Sequence, residues 1–168
     1  ISGSSQEKKD STKVIAPPQS FVSTHTGVFG GKTIVYKATA KEVHLKNDKG
    51  EPVASIWSVA YTQEGNKDMT RRPVSFVFNG GPGSASVWLH MGMLGPKIVK
   101  TDSDARKDDG AAPYRLVENK HTLLDITDLV FIDPVGTGFS EVIGKGKKED
   151  FWGLNEDAAS IAKFMRMW

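Results

Sequence analysis

The pattern of apolar and polar positions over residues 21–62 is that of β structure, with a period near two over residues 33–45, which are rich in Thr, Val, Ile and Tyr. This pattern predicts an antiparallel β meander. Asn47-Asp48-Lys49-Gly50 is a turn signal, and Glu64-Gly65-Asn66-Lys67-Asp68 is another. Between them residues 54–61 read as a strand with Ile56, Trp57, Val59 and Tyr61 placing bulk on both faces. After Arg71-Arg72-Pro73 the alternation stops. Residues 74–78 form a nearly continuous apolar run, as expected of a central strand covered on both faces. Residues 84–94 read as a short apolar helix stopped by Gly95-Pro96, residues 100–112 as a polar surface loop, and residues 129–132 as a second buried strand.

The last segment predicts a helix, with Asn155 as N-cap and Ala158, Ile161, Met165 and Trp168 on one face. No Gly, Asn or Pro closes it, which predicts that further polypeptide or a partner chain follows. The opening stretch is polar and has no period. Residues 1–20 are expected to be a flexible leader, and residues 21–168 one unit. A meander followed by strand–loop–helix and again strand–loop–helix predicts an α/β sheet, at least partly parallel, with the meander at its edge. In such sheets ligands bind beyond the carboxyl ends of the strands. Both glycine-rich loops follow apolar strands, so they are the two candidate sites.

Composition narrows the choice. The 168 residues carry 22 Lys+Arg against 20 Asp+Glu, a net charge of +2, which offers no global reason to bind nucleic acid or an anionic membrane. There is no cysteine, excluding disulfides, thiolate zinc sites and cysteine nucleophiles within this sequence. No stretch of 18 apolar residues is present, so no membrane span is expected. The four histidines, His25, His44, His90 and His121, are not at metal-ligand spacing, and no metal or cofactor is expected. His90 stands out by following the first glycine loop. Gly30-Gly31-Lys32-Thr33 lacks the earlier glycine of a P-loop, because position 26 is Thr26, and a strand pattern follows. A dinucleotide fingerprint fails at Ser86. Lys145, Lys147 and Lys148 read as a solvated loop, and Trp57, Trp88, Trp152 and Trp168 as core or cleft-lining bulk.

Asn79-Gly80-Gly81-Pro82-Gly83 has three glycines in four positions, which lets the backbone turn sharply and approach another group closely. A helix start just beyond a strand carries free N–H groups, suited to a carboxylate or an oxyanion. A tight turn needing glycine for steric reasons alone fits these five residues equally well.

The run Phe76-Val77-Phe78-Asn79-Gly80-Gly81-Pro82-Gly83-Ser84-Ala85-Ser86, with Leu94-Gly95-Pro96 beyond it, resembles the serine carboxypeptidase family. Asp128-Leu129-Val130-Phe131-Ile132-Asp133-Pro134-Val135-Gly136-Thr137-Gly138-Phe139-Ser140 resembles that family's second signature. The resemblance implies the amino-terminal part of an α/β-hydrolase fold, a meander leading into a mixed sheet, truncated before the nucleophile elbow. It implies a hydrolase that removes C-terminal residues through a serine acyl-enzyme. Gly81 would give an oxyanion-hole N–H, and Asn79 and Gly80 would bind the substrate's terminal carboxylate. Residues 133–140 would shape the floor and wall of the cleft. The implied partners are a peptide with a free C-terminal carboxylate and the rest of the hydrolase domain or a partner chain. The implied localisation is export, periplasmic or secreted.

The chain departs from the pattern at Val77, where many members have Trp, at Met93, where many have Glu, and at Ser84, where many have Cys. The Met93 difference removes a carboxyl group from the carboxylate-recognition network, so an acid pH preference is not expected to carry over. Gly-x-Ser-x-Gly is absent, since Ser140 is followed two positions on by Val142. This sequence alone is therefore expected to be inactive as a peptidase. A non-catalytic module that captures peptide C-termini and an acyltransferase on the same scaffold are the alternatives.

Overall fold

The computed structural model describes residues 14–65, 69–80, 83–101 and 113–168. The meander forms as expected and is longer at both ends: β1 (Ser20–Phe29), β2 (Lys32–Lys46) and β3 (Pro52–Gln63) pair antiparallel in sequence order. β1 and β2 are joined by Gly30 and Gly31, whose φ values of 56° and 75° suit a two-residue hairpin turn with the twist of the strands. At the next turn the Asn47 side-chain oxygen accepts hydrogen bonds from the Lys49 and Glu51 N–H groups.

The sheet continues through β7 (Asp128–Ile132), antiparallel to β3, to β4 (Val74–Val77), parallel to β7. The order is β1-β2-β3-β7-β4, with the short β8 (Glu141–Val142) pairing the start of β3. β7 is the central apolar strand, buried at all five positions. β4 is instead the outermost strand of the described sheet and only partly covered, with Val74 exposed. Its apolar run predicts a central strand covered on both faces. The difference arises because β7 covers only one of its two edges among the described residues.

Between β4 and β7 lie a helical turn, α1 (Val87–Leu89), which widens into a π-helical turn (His90–Leu94), and a hairpin of β5 (Lys97–Lys100) with β6 (Arg115–Glu118). Of the loop expected over residues 100–112, all but the first two residues lie outside the described residues.

The closing helix, α2, spans Leu154–Met167 and its N-cap is Gly153, not Asn155. Its covered stripe is Ser160, Ile161, Phe164 and Met165, whereas Ala158 is exposed. Ser160 can occupy that stripe because its hydroxyl donates to the Asp157 carbonyl 2.8 Å away.

The two faces of the sheet carry separate cores. Ile161 and Phe164 of α2 pack on Val43, Leu45, Ile56, Val130 and Ile132. On the opposite face Phe29, Ile34, Tyr36, Leu129 and Phe131 pack with Leu124. The alternation along β7 divides its side chains between them, Val130 and Ile132 to one side and Leu129 and Phe131 to the other. No described helix is long and apolar enough to cross a membrane.

Candidate functional site

β4 and β7 run in the same direction and end at the same edge of the sheet, so both glycine-rich loops emerge there. A cleft of about 770 Å³ opens between them. Asn79, Gly80, Gly83 and Ser84 line it from the first loop, and Pro134, Val135, Gly136 and Thr137 from the second. The start of α2 closes the third side with buried Phe151, exposed Trp152 and Leu154, and Asp157. Both expected carboxylate-binding residues, Asn79 and Gly80, therefore face one cleft together with the segment expected to wall it. Gly81, the expected oxyanion donor, lies outside the described residues, as does Pro82.

The Asn79 side-chain oxygen accepts a hydrogen bond from the Leu89 N–H at 3.4 Å, which ties the end of β4 to the helical turn that follows. The second loop is pinned within itself. Thr137 donates its N–H and its hydroxyl to the Pro134 carbonyl, at 3.0 and 2.8 Å, and the Ser140 N–H donates to the Thr137 carbonyl at 2.8 Å. Ser140 is buried, donating to the Asp133 carbonyl (2.7 Å) and accepting from the Trp57 N–H (2.8 Å). The hydroxyl thus donates within the loop and accepts from β3, which is a structural assignment for this serine.

Asp133 joins the loops. One oxygen of its buried carboxylate accepts from both the N–H and the hydroxyl of Ser86, each at 2.8 Å, and the other accepts from the Phe139 N–H at 3.3 Å. The sequence reading missed this residue as an individual. The signal available was a carboxylate placed directly after the apolar run of residues 129–132, which must find donors once buried.

His90 lies behind the first loop, stacked on Phe131 with ring centroids 4.4 Å apart, its Nε2 2.7 Å from the Tyr61 hydroxyl. Burial holds the His90 pKa down at about 4 against the opposing pull of the Asp133 charge, and burial, aided by Tyr36, pushes the Tyr61 phenol up to about 12. A neutral imidazole accepting from a protonated phenol satisfies both groups. His90 is not among the cleft-lining residues. Among the tryptophans, Trp152 lines the cleft as expected, Trp168 packs edge-on against Phe76, and Trp88 is exposed instead of contributing to core or cleft. A second, polar depression of about 610 Å³ near Lys32, Gln63, Arg72 and Asp125 touches neither glycine loop. No group of three or more metal-ligating side chains converges among the described residues.

A meander feeding a mixed sheet, with a cleft at the carboxyl ends of its described parallel pair, gives this chain an α/β fold. The serine carboxypeptidase family model matches residues 58–168, and the chain belongs to that family. Among solved structures it is similar to Kex1Δp, a prohormone-processing carboxypeptidase from Saccharomyces cerevisiae, at 24% identity over 71% of this chain, with a TM-score of 0.45. The chain covers 23% of that protein's length. No curated protein matches.

Proposed function

We propose that this chain is the part of a serine-type carboxypeptidase that supplies the carboxylate-recognition and oxyanion loop. The observation that carries the reading is that the family match spans both glycine-rich loops and both loops line one cleft. With the Asn79 oxygen engaged by the Leu89 N–H, the N–H₂ end of that amide is the one offered to a ligand, and it presents donors. Together with the Gly80 N–H it is matched to a terminal carboxylate, so an exopeptidase would measure the chain end here. Gly81 follows directly and would donate its N–H to the oxyanion of an acyl-transfer transition state. The serine nucleophile, with His as base and Asp orienting it, would come from outside these 168 residues. The reading includes export, periplasmic or secreted.

The test is a calorimetric titration of the 168-residue chain with a blocked dipeptide acid and with the same dipeptide as its C-terminal amide. The acid is expected to bind about tenfold or more tightly, since charge-assisted hydrogen bonds are lost in the amide. The Asn79→Ala variant is expected to erase most of that preference. Equal affinities, or no binding of either peptide, would sink the reading. Turnover of the same substrate by this chain would refute the placement of the nucleophile outside it.

A further inference from the structure

We propose that Asp133 is the positioning residue of this cleft, its carboxylate setting how far apart the two glycine-rich loops stand. The inference rests on the cleft being the peptide site for its functional meaning, not for its geometry. Asp133 does not line the cleft, yet residues it holds adjoin lining residues on both sides: Ser86 lies two positions beyond Ser84, and Phe139 two beyond Thr137.

Asp133 is itself immovable. Its N–H donates to the Trp57 carbonyl (3.1 Å), extending the β3–β7 ladder by one residue, and its carbonyl accepts from Ser140. The carboxylate therefore projects from the most buried strand of the sheet and reaches out to Ser86, 47 residues earlier in the chain. Gly138 is fitted to the same carboxylate. A Cβ at that position would overlap the Asp133 carboxyl oxygen and press on the Ala85 methyl, and the backbone there has a φ of 51°. Three donors, one glycine and one carboxylate thus form a single joint between the loops. A buried carboxylate accepting several N–H and O–H bonds is stiff, because each donor loses its partner if the group shifts.

Asparagine separates the two halves of this joint. In Asp133→Asn the amide oxygen can keep both Ser86 bonds, while the amide nitrogen then faces the Phe139 N–H donor against donor. Amide hydrogen exchange of the 168-residue chain reads this directly. Phe139 is expected to exchange about tenfold faster or more, its amide proton moving upfield, with Ser86 nearly unchanged and the Ala54 and Ile56 amides of β3 unaffected. Binding of the dipeptide acid is expected to weaken about tenfold without a matching fall in Tm. Ser86→Ala, which removes only the hydroxyl donor, is the second variant. It is expected to accelerate exchange at the Ser86 N–H, whose acceptor carboxylate is then less firmly held, but not in β3, and it decides the matter if Asp133→Asn does not fold. Unchanged exchange at Phe139, or acceleration spread equally through β3, would overturn the proposal, the latter because Asp133 would then merely hold the fold together. If the unmodified chain binds neither peptide, the carboxypeptidase reading fails, while the exchange pattern still judges the joint on its own.

Discussion

Tyr61 and His90 meet hydroxyl to Nε2 at 2.7 Å, joining β3 to the π-helical turn behind the first glycine loop. Both rings also rest on Phe131, Tyr61 edge-on at 6.1 Å and His90 stacked at 4.4 Å. Burial strips water from an imidazolium here, which holds the His90 pKa down at about 4 against the opposing pull of the Asp133 charge.

The sign of the pH dependence follows. In the unfolded chain His90 takes up a proton below its ordinary pKa of 6.5, whereas the folded chain resists until about pH 4. The stabilisation from neutral His90 is present above pH 6.5 and is lost progressively as pH falls toward 4. The loss is expected to reach about 2–3 kcal/mol, allowing for partial exposure of the ring. Urea unfolding at steps between pH 7 and 4 measures it. His90→Gln, which keeps a hydrogen-bond partner without titrating, should flatten that limb. An equally steep limb in the variant would show that other groups cause it.

At the opposite ends of β4 and β7 from the cleft, Arg72 and Asp128 form a largely buried pair. The Arg72 Nε donates to the Asp128 carboxylate at 2.6 Å and a terminal nitrogen donates to the Leu124 carbonyl at 2.6 Å, while the same carboxylate oxygen accepts from the Gln63 N–H at 3.0 Å. Removing one partner strands the other charge. Arg72→Met is expected to cost about 3–5 kcal/mol, and adding Asp128→Asn should recover part of it. Strict additivity of the two in urea unfolding would contradict this. Peptide affinity should survive both changes once the proteins are compared under folding conditions.

Much of the fold was legible because local chemistry and tertiary placement agree in it. The β-branched alternation of residues 33–45 and the Asn47 turn specify the meander, and the uninterrupted run Leu129-Val130-Phe131-Ile132 specifies the covered strand. The β5–β6 hairpin escaped notice because each strand is four residues long and mixes charged with aliphatic positions. α2 was found, but its start was displaced because Asn155 is a better capping residue than Gly153 by propensity. Its stripe was misplaced because Ser160 is polar. In the site, glycine marked both loops. The bonds of Asp133 to Ser86 and Phe139 and the Tyr61–His90 contact span 47, 6 and 29 positions and leave no periodic trace.

The start of α2 separates binding from stability. Leu154 is 89% exposed and Trp152 64%, yet both line the cleft, whereas Phe164 two turns or more along the same helix is fully buried. Phe164→Ala is expected to cost about 3–5 kcal/mol by opening a core cavity. Leu154→Ser should change stability by no more than about 0.5 kcal/mol, since it surrenders almost no buried area, and Trp152→Ala, whose ring is about a third covered and lies under the Lys148 ammonium, by about 1 kcal/mol. They should nevertheless weaken binding of a peptide acid bearing a large apolar C-terminal side chain more than one ending in glycine. Paired thermal melts and titrations distinguish the effects. A loss of Tm in Leu154→Ser comparable to that in Phe164→Ala would mean that this part of α2 belongs to the core.

Gly31 and Gly138 both have positive φ, 75° and 51°, but differ in surroundings. Nothing lies within 4 Å of a Cβ built on Gly31, so Gly31→Ala meets only the backbone cost of a left-handed conformation, about 1–2 kcal/mol. Gly138→Ala meets that cost and also drives a methyl into the Asp133 carboxylate and against Ala85. The carboxylate cannot yield without releasing Ser86 or Phe139, so the loops must part. Gly138→Ala is therefore expected to be the more destabilising of the two by about 1 kcal/mol or more. It should also weaken binding of the dipeptide acid at least about tenfold, whereas Gly31→Ala, in a hairpin turn remote from the cleft, should leave binding unchanged. Thermal unfolding together with titration of both variants provides the comparison. Equal losses of stability with unaltered affinity would show that the space around Gly138 is slack and that the loops do not depend on it.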